Sequence, residues 1–242
     1  MRYCVFSDVH GNLEAFEAAL AAFANEKIDR HIFLGDVVGY GADPHACITA
    51  LKMLKPQILA AGNHEWGVLQ LLDMEYFNEY AEAAVEWTRN LLTKEELEYL
   101  KSFRLFCEAW DLTFVHGSLE QPARFKYVLD NDDAELSLRF SKTPLCFVGH
   151  THVACAYYFD EGKVVSTKGP KVRIEAGKKC IINVGSVGQP RDGDTRASYV
   201  IYDDTEKTVE IKRVAYDIKT AQKKILKAGL PAWLASRLSE GR

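Results

Sequence analysis

The sequence has no basic excess: 30 Lys and Arg against 34 Asp and Glu leave a formal net charge of −4. A chain that grips nucleic-acid polymers through their phosphates needs a positive surface, so nucleic acid is not an expected partner. Long apolar runs are missing as well. None approaches the ~18 residues that span a bilayer, and no membrane-spanning segment is expected. The opening stretch MRYCVFSDVHGN reads as a short strand broken by polar residues, not as a secretory leader. The six cysteines (Cys4, Cys47, Cys107, Cys146, Cys155, Cys180) show no paired spacing, and several lie inside apolar runs. That usage fits small buried hydrophobes of a cytoplasmic protein and excludes a disulfide framework or a thiolate zinc site. Internal repeats, low-complexity tracts and linkers rich in Gly, Ser or Pro are absent too. One domain over residues 1–242 is the simplest reading, and a chain of that length can bury a core without staples.

What is present is an alternation. Short runs rich in β-branched and aromatic residues, Tyr3–Ser7, His31–Leu34, Gln57–Ala61, Leu112–Val115, Cys146–Val148 and Cys180–Val184, read as buried strands. Between the first two, Leu13, Phe16, Leu20 and Phe23 recur at three and four residues, which predicts an amphipathic helix over 12–27. A second helix is expected after Asp43-Pro44, ending before Pro56. This βαβαβ rhythm predicts an α/β domain with part of its sheet parallel. A helical insert follows at about 66–106, where Thr93 and Glu96 have the spacing of a capping box. From residue 153 to 214 the pattern is mostly β, and a helical tail is expected at about 218–240.

Chemistry-bearing residues come straight after five of these strands: Asp8-Val9-His10-Gly11-Asn12, Gly35-Asp36, Gly62-Asn63-His64-Glu65, His116-Gly117-Ser118 and Gly149-His150-Thr151-His152. In open α/β sheets, ligand sites collect beyond the carboxyl ends of the strands. Five of the seven histidines fall in these segments, and only His31 and His45 lie outside. Any one of them alone would read as an ordinary core or surface histidine. Five at one kind of position, flanked by Asp8, Asp36 and Asn63, read instead as a mixed oxygen and nitrogen ligand set suited to Mn, Fe or Zn.

The ordered series D-x-H-G-N, G-D, G-N-H-E, H-G and G-H-T-H resembles the calcineurin-like metallophosphoesterase superfamily, in particular its small single-domain phosphodiesterases from bacteria and archaea. Gly35–Gly41, the segment NVGSVGQPRDGD at 183–194 and Arg196–Tyr199 extend the likeness to about residue 220. The resemblance implies a four-layer αββα sandwich with two mixed β-sheets and a dinuclear metal site at the strand carboxyl ends. By the same resemblance, Asp8, His10, Asp36 and His152 hold one divalent ion, while Asp36, Asn63, His116 and His150 hold the other. Asp36 then bridges the pair, and its negative charge offsets the repulsion between two dications. The implied reaction is attack of a metal-held hydroxide on phosphorus, with His64 as general acid and Glu65 orienting its ring.

A departure from the family pattern bears on the substrate. Protein phosphatases and symmetrical dinucleoside tetraphosphatases of the superfamily carry an Arg in the segment after the bridging Asp, whereas this chain reads Val37-Val38-Gly39-Tyr40-Gly41. A guanidinium there suits a terminal phosphate dianion. Its absence favours diesters or anhydrides of small nucleotides, dinucleoside polyphosphates among them, over a phosphomonoesterase or protein phosphatase. A non-catalytic metal-binding scaffold is the third reading, disfavoured by the complete ligand set. Arg191 and Arg196 are candidates to compensate for the missing Arg, with a solvated loop charge as the alternative for each. The loop carrying Arg124, Phe125 and Lys126 is a second candidate wall for a small phosphorylated substrate. Trp66, Tyr76, Phe77 and Tyr80 offer rings for a nucleobase, although Phe77, Tyr80 and Trp87 sit at helical spacing and are expected simply to pack. The tail is expected to pack on the body, with a dimer contact as the alternative; the oligomeric state stays open.

Overall fold

Successive side chains of the central strands are buried on opposite faces, and that alternation decides the layering. The computed structural model describes residues 1–242. At the head of the chain, β1 (Arg2–Phe6), β2 (Arg30–Phe33) and β3 (Ile58–Leu59) alternate with α1 (Leu13–Ala24) and α2 (Pro44–Leu54). Three helices follow, α3 (Asn63–Val68), α4 (Glu79–Leu91) and α5 (Lys94–Lys101), then β4 (Phe106–Ala109), β5 (Leu112–Val115), α6 (Asn131–Phe140) and β6 (Leu145–Val148). The remaining strands are β7 (Cys155–Asp160), β8 (Lys163–Thr167), β9 (Lys171–Arg173), β10 (Cys180–Asn183), β11 (Ala197–Asp203) and β12 (Thr208–Val214). Helices α7 (Ile218–Lys227) and α8 (Ala232–Ser236) close the chain.

Two six-stranded sheets result, ordered β3-β2-β1-β11-β12-β9 and β4-β5-β6-β10-β7-β8. Strands β1, β2 and β3 run parallel in the first sheet, and β5, β6 and β10 in the second, while the remaining pairings are antiparallel. Tyr3, Val5, Ile32, Leu34, Val200 and Tyr202 of one sheet meet Leu112, Phe114, Leu145, Phe147 and Ile182 of the other in the layer between them. Their chain neighbours face outward. Phe6, Phe33, Tyr199 and Ile201 pack against Phe16, Phe23, Ile48 and Leu51 of α1 and α2, and Val115, Cys146, Val148 and Ile181 against Ala134 and Leu138 of α6. Each fully buried Leu, Ile or Phe contributes about 1.5–3 kcal/mol of transfer free energy, so these three layers hold helix, sheet, sheet and helix together. The expected four-layer αββα sandwich is the observed architecture.

Local signals account for several boundaries. Asn12 caps α1 through its side chain to the Ala15 N–H at 3.2 Å. The capping box is present: Thr93 N–H donates to Glu96 at 2.8 Å, and Glu96 N–H to Thr93 Oγ1 at 3.3 Å. The third strand is shorter than the sequence suggests. It forms the sheet edge, and after Leu59 the chain leaves the ladder through the Ala60 bridge to Arg104 on its way to Gly62. Helices α7 and α8 pack on the body, with Ala221, Ile225, Leu230, Leu234 and Leu238 against Tyr40, Ala81 and Ala84. All six cysteines are free thiols, and no helix is long and apolar enough to cross a membrane.

Candidate metal centre

The parallel strands of both sheets end at one edge of the sandwich, and the six loops that follow them lock together there. Asp8 N–H donates to Gly35 O (2.9 Å), His10 N–H to Asp36 O (2.9 Å) and Gly149 N–H to His116 O (2.9 Å). The loop after β10 closes the ring: Gly188 N–H donates to Asp8 O at 2.8 Å, as does the Ser186 hydroxyl at 2.8 Å. Asn183 fastens the histidine loop from below, donating to Gly149 O and to Thr151 Oγ1, each at 2.8 Å. Ser186 and Asn183 both belong to the family-like segment 183–194, in which the sequence alone assigns neither a role. Their signal was available, because Asn183 ends β10 at the same edge as the other loops.

Asp8, His10 and His152 form one group of closely facing ligand atoms, and Asp36, His116 and His150 another. All six are buried. Asp8 Oδ1 lies 3.2 Å from His152 Nε2 and 3.6 Å from His10 Nε2. Asp36 Oδ2 lies 3.1 Å from His116 Nε2 and 3.7 Å from His10 Nε2, so this one carboxylate faces both groups. Donors bonded at ~2.1 Å to a shared ion sit roughly 3.0–3.4 Å from one another, the spacing of the His152 and His116 pairs, while the two His10 pairs are slightly wider.

The outer hydrogen bonds fix how each ring is presented. His10 Nδ1 donates to Val38 O (3.0 Å), His116 Nδ1 to Leu34 O (2.8 Å) and His152 Nδ1 to Gln189 O (2.6 Å). In the neutral ring each Nε2 then keeps a bare lone pair, as metal-ligating imidazoles require. His10 Nε2 and His152 Nε2 nonetheless face each other at 3.1 Å. Two lone pairs aimed at one point repel unless a cation lies between them. Asp8 Oδ1 and Asn63 Oδ1 are also sealed from solvent without a hydrogen-bond partner, a cost of about 1–3 kcal/mol each that a cation would remove. The donor set fits divalent ions of the Mn, Fe and Zn type.

Electrostatics agree. Burial pushes the Asp8 carboxyl up, but His152 and His116 outweigh it and hold Asp8 well below the usual carboxylate range. Asp36 is lowered in the same way, burial being overcome by His116 and His64. His116 is pushed down by burial and further up by Asp36 and Asp8, reaching about 9. His152 falls to about 3 through burial and the nearby Arg191, and His150 drops well below its ordinary value through burial and His116. Positive charge is thus called for between the two carboxylates.

The backbone adds a second mark of function. Asp8, His10, Asp36, His150 and His152 all adopt left-handed conformations, with φ of 56°, 51°, 60°, 66° and 62°. Such residues cost about 1 kcal/mol or more each and persist where the surroundings hold them. Here the interlocked loops do so.

Glu65 occupies a different place from the one its neighbour suggested. Its carboxylate accepts from the N–H groups of Asp36 (2.7 Å), Val37 (2.7 Å) and Gly62 (2.8 Å), and makes no hydrogen bond to His64. The expected ring-orienting role is corrected accordingly: Glu65 sits at the first turn of α3, where its side chain folds back onto backbone donors. Burial and Asp36 raise its carboxyl to about 7 against those donors. His64 is held instead by its own N–H to Asp36 Oδ1 at 2.9 Å and by three aromatic faces, His10, Tyr40 and Phe77. Its Nδ1 is sealed against Gly39 without a partner, so Nε2 is the nitrogen that faces outward. Burial lowers its imidazolium to about 3 in spite of Asp36, leaving the ring neutral at pH 7.

The expected substrate contacts divide. Arg191 lies beside the centre: its guanidinium donates to Gln189 Oε1 at 2.7 and 3.2 Å and stands 5.6 Å over the Tyr40 ring. Arg196 is exposed and paired with Asp194 at 2.7 Å, a solvated loop charge. Arg124 borders a cavity of about 390 Å³ that reaches Asn63 and His150 and is also lined by Tyr76, Phe125, Lys126 and Tyr127. Tyr127, which the sequence reading left aside, stacks face to face on His150 with ring centres 4.0 Å apart. Phe77 packs on His64, and Tyr80 stacks on Trp233 at 4.8 Å, so the packing expectation holds for these two. Trp66 meets Phe125 edge-on, and Tyr76 donates its hydroxyl to Arg124 O at 2.7 Å.

Comparison with known proteins adds independent findings. Residues 1–207 match the family model described as the calcineurin-like phosphoesterase superfamily domain. An uncharacterized protein of Methanocaldococcus jannaschii is 40% identical over 244 aligned positions, which cover 98% of this chain and 97% of that one. The crystal structure of a metallophosphoesterase from Sphaerobacter thermophilus superposes with a TM-score of 0.87 at 39% identity, over 100% of this chain and 99% of the other. A hypothetical protein from Pyrococcus horikoshii matches with a TM-score of 0.81 at 19% identity, covering 100% and 98%; that likeness speaks for the fold alone.

Proposed function

Since the chain belongs to the calcineurin-like phosphoesterase superfamily, hydrolases of phosphoric esters, we propose that it cleaves phosphodiester or phosphoanhydride bonds of small nucleotides. Asp8, His10, Asp36 and His152 would hold one divalent ion, and Asp36, Asn63, His116 and His150 a second. When bound, two such ions supply Lewis acidity to phosphoryl oxygens and acidify water near neutral pH. The observation that carries the substrate reading is the cavity beside Asn63 and His150. A diester or anhydride has a second substituent that must lie somewhere, and this space offers the rings of Tyr76, Phe125 and Tyr127 with Arg124 and Lys126 at its margin. The loop after Asp36 favours a substrate without a terminal phosphate dianion, because it turns the Tyr40 ring toward His10 and His64 where the protein phosphatases and symmetrical dinucleoside tetraphosphatases of the family have a guanidinium.

Within this reading His64 serves the leaving oxygen. Its Nδ1 meets only Gly39, so the neutral ring would carry its proton on Nε2 and offer it to the leaving oxygen as a hydrogen bond. Gly39 has φ of 89°, and any Cβ there would run into the His64 ring. Gly39→Ala is therefore expected to displace the imidazole and lower kcat by on the order of 10²-fold, the scale of a lost hydrogen-bond donor to a developing oxyanion. Metal content, read by elemental analysis, should stay at the wild-type level. A variant with wild-type kcat would remove His64 from the reaction.

The function is tested by assaying protein loaded with Mn on bis(p-nitrophenyl) phosphate, p-nitrophenyl phosphate and diadenosine tetraphosphate. Hydrolysis of the diester or the anhydride at least tenfold faster than the monoester is expected. Faster monoester cleavage would establish a phosphomonoesterase, and no hydrolysis by the fully loaded protein would leave a metal-binding scaffold.

A further inference from the structure

The helical tail brings a second guanidinium to the rim of the centre. Arg237 follows α8 directly and is 8% exposed. Its guanidinium carbon stands 4.0 Å over the Trp233 ring, which itself stacks on Tyr80. Only Nε is engaged, donating to Arg242 O. Its two terminal nitrogens have no hydrogen-bond partner, and neither is sealed from solvent. Leu238, the next residue, lines a small cavity together with His10, Tyr40 and Gln189, and Tyr40 and Gln189 are the two residues that position Arg191. Arg237 thus belongs to the tail segment whose Leu234 and Leu238 pack with Tyr40, the ring over which Arg191 stands, beside His10.

Neither guanidinium has a carboxylate within ion-pairing distance, although Arg2, Arg196 and Arg213 are each paired with one. Burial, and after it the Arg191 charge, lower Arg237 to about 10. Arg191 also bears on the Tyr127 phenol, on His64 and on His152. Holding two unpaired like charges at a partly buried spot is costly, and the cost is recovered when an anion arrives between them. Guanidinium forks match phosphate oxygens bidentately. The tail also lies outside the stretch that matches the family model, residues 1–207.

We propose that Arg191 and Arg237 form a subsite for a phosphate adjacent to the one being cleaved, so that the preferred substrate carries a chain of phosphates. The inference rests on the proposed phosphoesterase reading and narrows it to nucleoside or dinucleoside polyphosphates. It also makes the C-terminal tail part of the substrate site.

The test compares Arg191→Met, Arg237→Met and Arg237→Lys, which retain the aliphatic stem, on diadenosine tetraphosphate and on bis(p-nitrophenyl) phosphate, which has no second phosphate. The ratio of kcat/KM for the first over the second should fall by about tenfold or more in each Met variant, with partial recovery in Arg237→Lys. A parallel loss on both substrates, or an unchanged ratio, overturns the subsite. If the loaded wild-type protein cleaves neither compound, the phosphoesterase reading fails by itself. Calorimetric titration with inorganic tripolyphosphate then decides the subsite: at least tenfold tighter binding by wild type than by both Met variants supports it, and equal affinities overturn it.

Discussion

Asp36→Asn is expected to lower hydrolysis by on the order of 10³-fold or more and to reduce bound metal, while the chain still folds. The carboxylate does two jobs with two oxygens. Oδ1 accepts the His64 N–H at 2.9 Å, and Oδ2 faces His116 at 3.1 Å and His10 at 3.7 Å. An asparagine keeps a carbonyl oxygen for the first job, so the loop between β2 and α2 retains its anchor. For the second it offers an N–H₂, which has no lone pair for a cation and no negative charge to offset the repulsion between two of them. Elemental analysis after loading with Mn, run beside the diester assay, reads both consequences. Wild-type metal content with wild-type rate would show that Asp36 is not shared between two ions, and the two-ion centre would fall with it.

The candidate ligand cluster is legible because each of its members is announced locally. A short apolar run ends, a glycine or a tight turn follows, and an Asp, Asn or His stands next to it; the pattern recurs after β1, β2, β3, β5 and β6. Parallel order within each half was legible for the same reason, from helices alternating with strands. Other features depend on partners far away in the chain. Strand β1 pairs with β11, as in Arg2 against Asp203, and nothing near either strand announces that pairing. The carbonyls of Val38, Leu34 and Gln189 that set the histidine tautomers are backbone groups, which carry no residue signature. Tyr127 on His150 and Tyr80 on Trp233 are tertiary meetings of the same kind. Glu65 misled for a physical reason: adjacency to His64 in the chain suggests a pair, but at the start of a helix a Glu side chain turns back toward free N–H groups.

That turn makes Glu65 the site of the largest expected loss of stability. Glu65→Ala would leave the N–H groups of Asp36, Val37 and Gly62 without acceptors in a place that water does not reach. Each buried orphan costs about 1–3 kcal/mol, so the variant should lose roughly 4 kcal/mol or more, lowering the melting temperature by about 10 °C for a domain of this size. Glu65→Gln should fall between, because one of its two terminal atoms still accepts while the other presents N–H to N–H. An exposed carboxylate on α5 provides the comparison. Glu95, whose side chain is 89% exposed in its contact with Lys52, should change the melting temperature by about 1 °C or less when replaced by Ala. Function follows from the same three bonds, since they hold the left-handed turn at Asp36 against its strain. Loss of Glu65 should therefore weaken metal retention even at temperatures where the variant is fully folded. Calorimetry of Glu65→Ala and Glu95→Ala side by side, followed by elemental analysis of both after dialysis, makes the comparison. Equal melting temperatures and equal metal contents would mean that the buried carboxylate does not support the centre.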